Sequence, residues 1–135
     1  MDTFESSLNQ YVLHDTVITY VRLNSNSITF VFENGVFSMQ NSLSLKKTGT
    51  CNMNLYIKDF DKNCLYQNIE IKTIDNSMVT DASFDDLAKA IKNGGLKIYL
   101  DYYSFFAKSV LLIGNTEDFE FEITVTDIEK IDFTF

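Results

Sequence analysis

The stretch Tyr11–Val36, YVLHDTVITYVRLNSNSITFVFENGV, decides how the rest of the chain is read. Thr16 to Leu23 alternates, with Val17, Val21 and Leu23 on one face and Ile18 and Tyr20 on the other. Apolar groups on both faces predict a central strand. Asn24-Ser25-Asn26-Ser27 carries turn chemistry, because Asn and Ser bond locally to the backbone and Asn tolerates positive φ. In the next strand Ile28, Phe30 and Phe32 point one way and Thr29, Val31 and Glu33 the other. Asn34-Gly35 is a strong short hairpin signal, since a type I′ turn needs φ > 0 twice. Val36 to Gln40 is therefore expected to pair back on Ile28 to Phe32.

Working outward, residues 1–10 offer one apolar pair, Phe4 and Leu8, at the spacing of a short helical turn. Asn41 to Thr50 is polar, with isolated Leu43 and Leu45. Asn52 to Phe60 alternates with Met53, Leu55 and Ile57 inward, and Asp59, Asp61, Lys62 and Asn63 make the following turn. Leu65 to Ile74 reads as a strand with Ile69 and Ile71 inward and Glu70 and Lys72 facing water. Ser83 is the expected N-cap of a helix over Phe84 to Lys92, ended by Gly94. Phe84, Leu87, Ala88 and Ile91 share one face of it. Asp85 and Asp86 lie at the positive end of its dipole and Lys89 and Lys92 at the negative end. Leu96 to Tyr102 and Phe106 to Ile113 are expected strands, with Gly114-Asn115 turning the chain. Phe119, Phe121, Ile123 and Val125 alternate with Glu120, Glu122, Thr124 and Thr126. Asp127 to Lys130 breaks or bulges that run before Ile131, Phe133 and Phe135, whose two phenylalanines are expected in the core. The sum is a mainly-β (α+β) domain over 1–135, an antiparallel sandwich or open barrel of eight or nine strands with one helix near 84–93.

Composition narrows the chemistry. The 45% hydrophobic and 14% aromatic content supports a packed core, and 135 residues suffice to build one without staples. No apolar run approaches the length of a membrane-spanning helix. The acidic, polar start MDTFESSLNQ does not read as a secretory signal, so a cytoplasmic, bacterial-type protein is expected, with Cys51 and Cys64 as reduced thiols. The net charge of −8, with Lys46-Lys47 as the one basic pair, argues against nucleic acid.

Catalytic constellations are missing from the sequence. His14 is the single histidine, so a metal hydrolase has no second one to use, and the Cys51–Cys64 spacing is not a zinc knuckle. Gly35, Gly49, Gly94, Gly95 and Gly114 fit neither a nucleophile elbow nor a phosphate loop. His14-Asp15 is read as a device at the start of a strand: Asp15 bonds turn amides and His14 fills a partly buried polar slot. Asp59 with Asp61, Asp85 with Asp86, and Glu117 with Asp118 fall where turns and helix starts favour carboxylates. The terminal IDFTF resembles the last strand of outer-membrane barrels, but the lipid-facing bands such barrels need are absent between Asn41 and Asn54. No cofactor or metal is expected.

From Glu117 onward the carboxylates Glu117, Asp118, Glu120, Glu122, Asp127, Glu129 and Asp132 face Lys130 alone. Glu117, Asp118, Glu120 and Glu122 are the candidate contacts for a basic protein partner, which charge would steer into place.

The run Val12-Leu13-His14-Asp15-Thr16, followed by a strand to Leu23, a short turn and Ile28-Thr29-Phe30-Val31-Phe32, is similar to the opening of small bacterial proteins that begin on a Leu-His-Asp-Ser/Ala strand. Thr16 stands where those carry Ser or Ala. Some of them are classed as immunity proteins of polymorphic toxin systems. The resemblance covers residues 11–35 and implies a non-enzymatic cytosolic binder that neutralises a toxin; it supplies no binding residues. The alternative from the residues themselves is a small-molecule-binding domain or enzyme with a Phe/Tyr-lined cavity and Tyr99, Tyr102 or Tyr103 at its mouth. A third is self-assembly through an edge strand.

Overall fold

The computed structural model describes residues 10–41 and 44–135; the expected helical turn at Phe4 and Leu8 lies outside them, as does Leu43. The architecture is mainly β, antiparallel and open. A six-stranded sheet runs in the order β2 (Val17–Ile18), β10 (Leu96–Ser104), β11 (Ser109–Asn115), β12 (Glu120–Val125), β8 (Ile69–Asp75), β9 (Met78–Asp81). A four-stranded sheet has the order β13 (Ile128–Thr134), β7 (Cys51–Ile57), β4 (Ser27–Phe32), β3 (Tyr20–Leu23). A small third sheet joins β1 (Tyr11–Val12), β5 (Phe37–Asn41) and β6 (Ser44–Lys47). The strands exceed the eight or nine expected because short pieces such as β1, β2, β6 and β9 carry too few residues to show alternation.

One core lies between the two larger sheets. The six-stranded sheet contributes Ile18, Ile69, Ile71, Ile98, Val110, Leu112, Phe121, Ile123 and Val125; the four-stranded sheet contributes Val21, Ile28, Phe30, Phe32, Met53, Leu55, Ile57 and Ile131. Phe30, Phe32 and Phe121 are fully buried, each stabilising the fold by about 1.5–3 kcal/mol. The helix α1 (Phe84–Lys92) joins β9 to β10 and packs beside β3, burying Leu87 and Ile91. Its capping matches the sequence reading: the Ser83 side chain accepts from the Asp86 amide at 3.0 Å and Asp86 reciprocates on the Ser83 amide at 3.1 Å.

Several local expectations are corrected. The run from Thr16 to Leu23 is not one central strand: it breaks at Thr19, with β2 pairing β10 in one sheet and β3 pairing β4 in the other, each at a sheet edge. Asn34-Gly35 does not close a hairpin. Gly35 takes φ +82 but Asn34 stays out of the left-handed region, so no type I′ turn forms. Both sides of β4 are already occupied by β3 and β7, and the chain turns a corner into the third sheet, where β5 pairs β1 and β6. A Cβ on Gly35 would lie 2.2 Å from the Thr48 carbonyl oxygen, so the corner packs too closely for a side chain.

Further along, Lys62–Gln67 forms a 3₁₀ segment capped by Asp61, and β8 starts only at Ile69. Phe106 lies in the loop before β11 rather than in it. Gly114-Asn115 ends β11, and the turn follows at Thr116–Phe119. Phe133 is partly buried, but Phe135 is exposed; both rings lie against Tyr11, at 4.5 and 5.6 Å between centroids.

Candidate functional site

The outer face of the six-stranded sheet carries the sequence-predicted carboxylates of β12. Phe121, Ile123 and Val125 point into the core, which turns Glu120, Glu122 and Thr124 outward. Directly opposite residues share a face, so the register draws three rows across it. One runs Leu100, Ile113, Glu122, Lys72, Asp81; a second runs Tyr102, Leu111, Thr124, Glu70; a third runs Lys97, Asn115, Glu120, Ile74, Val79. The β10–β11 half is apolar at Leu100, Tyr102, Leu111 and Ile113 and polar at Lys97 and Asn115, and the β12–β8 half holds most of the charge.

A bulge at Tyr99 creates the apolar half. The β10–β11 register shifts between Ile98 and Leu100, so Ile98 is buried while Leu100 is 41% and Tyr102 63% exposed. Without it the Leu96, Ile98, Leu100, Tyr102 series would have stayed inward, as the alternation predicts. Tyr103 turns inward instead, where burial and the Asp101 carboxylate push its hydroxyl well above the usual tyrosine range. Tyr102 and Tyr103 therefore lie on opposite faces of the sheet.

In the charged half Lys72 pairs with Glu70 at 3.2 Å. Its ammonium is held above its ordinary value first by that hydrogen bond, then by the charges of Glu70, Asp81 and Glu122. Glu70, Asp81, Glu120 and Glu122 leave the face negative against Lys72 and Lys97. Glu117 and Asp118 are not on it. They occupy the exposed turn before β12, and Asp118 lines a groove of about 410 Å³ along α1 with Asp81, Asp86, Lys89 and Phe119. The four expected contacts thus divide into two places.

A second groove, of about 470 Å³, lies between Tyr66, Ile69–Ile71 and Asp81–Ser83; the Tyr66 hydroxyl accepts from the Phe84 amide at 3.3 Å. Neither groove contains a histidine or thiol. His14 is not in a buried slot: its imidazole and the Asp15 carboxylate are both exposed and 3.5 Å apart. Asp15, at φ +65, uses its backbone amide, which donates to Ile98 O at 2.9 Å. The pair thus belongs to the turn that feeds β2 toward β10. Cys51 is buried and Cys64 exposed, both free. Among the described residues no group of three or more His, Cys, Asp or Glu is placed to hold a metal, and no helix is long and apolar enough to cross a membrane.

The sequence reading missed the aromatic hairpin tip beside this face. Phe105 is 45% exposed and Phe106 fully exposed, in the loop between β10 and β11. The signal is the adjacent pair Phe105-Phe106 itself, of which the expected strand from Phe106 to Ile113 takes in only the second. Comparison with protein-family models, curated proteins and solved structures finds no match to the chain.

Proposed function

We propose that this protein is a non-enzymatic binding module that engages a basic protein through the outer face of its six-stranded sheet. Its most concrete form is an immunity protein that occludes a cognate bacterial toxin in the cytoplasm. The observation that carries the reading is the uncovered sheet face itself, where Leu100, Tyr102, Leu111 and Ile113 adjoin Glu120 and Glu122. An apolar centre with a charged flank is what protein interfaces use: burial supplies affinity and charge supplies orientation and encounter rate. The chain's net charge of −8 acts in the same direction on a basic partner.

The test is capture of a partner from lysate of the source cells at low and high salt, followed by binding measurements on the Glu120→Lys/Glu122→Lys double variant. A basic partner whose affinity falls both in high salt and with the reversal supports the reading, and rescue of cells from that partner's toxicity by co-expression supports the immunity role. Equal affinity of wild type and reversal variant removes this face from the account.

A further inference from the structure

We propose that the Phe105–Phe106 tip of the β10–β11 hairpin is the anchor of that interface, seating in an apolar pocket on the basic protein partner. This rests on the reading of the sheet face given above and adds the contact that holds the complex together.

The tip is displayed on a platform that is already ordered. Ser104 and Ser109 close the hairpin, and the Ser104 Oγ accepts from the Ala107 amide at 3.2 Å inside the loop. The loop is tied to its neighbours from below. The Ile128 amide donates to Lys108 O at 2.9 Å, the Lys58 amide to Asp127 O at 2.8 Å, and Asn68 Nδ2 to Asp127 Oδ2 at 2.9 Å. Lys108, Asp127 and Asp59, at φ +49, +56 and +54, come together at this end of the sandwich. Non-glycine residues persist in the left-handed region only where the surroundings over-determine them. Three interlocked loops therefore hold Phe106 in water, where its ring gains no burial within the chain. With the loop backbone already held, docking orders the ring alone, which limits the freedom lost and lets binding energy concentrate there.

Charge selects the occupant. Lys58, Lys108, Asp127 and Glu129 line the shallow groove beneath Phe106, a collar of mixed sign. An anionic lipid surface is attracted by basic collars and repels a chain of net charge −8. A second copy carries the same −8. A basic protein has the complementary sign, and the same hairpin leads from the knob through Tyr102 to the row containing Glu122.

The experiment uses the full chain and the partner isolated with it. Phe106→Ala is expected to weaken binding by about tenfold or more, with an unchanged melting curve because the side chain is fully exposed. Phe106→Leu should recover part of the loss. A photo-crosslinking phenylalanine at position 106 should label the partner. A partner that binds Phe105→Ala/Phe106→Ala as tightly as wild type but fails to bind Glu120→Lys/Glu122→Lys overturns the anchor and leaves the sheet-face reading standing. A partner indifferent to both variants, or no partner at all, overturns both. Phe106-dependent sedimentation with phosphatidylcholine/phosphatidylglycerol vesicles, or a wild-type dimer dissolved by Phe106→Ala, overturns the anchor in favour of lipid or self-association.

Discussion

Asn68 and Asp127 meet side chain to side chain, Nδ2 to Oδ2 at 2.9 Å, although 59 residues separate them. Asn68 ends the 3₁₀ segment before β8, and Asp127 sits where the chain leaves β12 for β13. The bond therefore ties two connections at the same end of the sandwich. Asn68 is 7% exposed, and its carbonyl also accepts from the Thr126 amide at 2.8 Å.

Removing this bond is expected to cost stability at both partners. Asp127→Ala leaves the largely buried Asn68 amide unpaired and should destabilise by about 1–3 kcal/mol, whereas Asn68→Ala leaves only the exposed Asp127 carboxylate, which water can solvate, and should cost less through this bond. Urea denaturation of the two single variants and the double should show a coupling of about 0.5–3 kcal/mol. Strict additivity would mean the bond contributes nothing.

Gly95 tests the junction between α1 and β10. It takes φ +88, and an added Cβ would fall 2.5 Å from Val17 Cγ1. Gly95→Ala is expected to destabilise by more than about 1 kcal/mol, from strain and clash together. Gly49→Ala, with nothing within 4 Å of the new methyl, is the control and should stay within about 0.5 kcal/mol. Thermal melts of the pair decide it.

The two thiols should behave oppositely. Cys64 is exposed and should react with a disulfide reagent in the folded protein; Cys51 is buried and should react only as the chain unfolds. Burial raises the Cys51 pKa to about 11. A folded-state pKa raised above the unfolded one gives stability that is complete below the unfolded value and is lost as pH rises through the folded one. Stability should therefore decline between the ordinary thiol value of 9.0 and about 11. Raised Tyr103 adds to the loss at higher pH. The part of this slope below pH 11 should shrink in Cys51→Val.

The helix start answers to acid. Asp86 is lowered by its backbone and then its side-chain hydrogen bond with Ser83, with Lys89 adding a smaller attraction. A depressed folded-state pKa means stability present above the unfolded carboxylate value and lost as pH falls through the folded one. Ser83→Ala should destabilise by about 1 kcal/mol at neutral pH while keeping the amide that lowers Asp86 most, so that acid limb should flatten in Asp86→Asn. An unchanged limb in Asp86→Asn would show that this carboxylate is not its source.

The sequence determined what depends on near neighbours. Apolar alternation identified β4, β7 and β12 and which side of each enters the core, because side-chain direction along a strand has period two. Ser83, Asp86 and the basic last turn identified α1, because capping and the helix dipole act within a few residues. The negative side of β12 followed from the same alternation.

Pairing, by contrast, was decided only in three dimensions. Asn34-Gly35 has the chemistry of a hairpin turn, but β4 spends both its edges on β3 and β7, a choice made by the shared core and not by the turn. The bulge at Tyr99 shows only in the β10–β11 register, yet it turns Tyr102 out and Tyr103 in. Glu117 and Asp118 were separated from Glu120 and Glu122 by a turn that ends where β12 begins. Phe106 became a solvent-exposed knob because distant loops at Lys58 and Asp127 meet its hairpin there. Backbone hydrogen bonds between strands carry no residue identity. Which strands meet is settled by how the whole set of apolar faces can be buried at once.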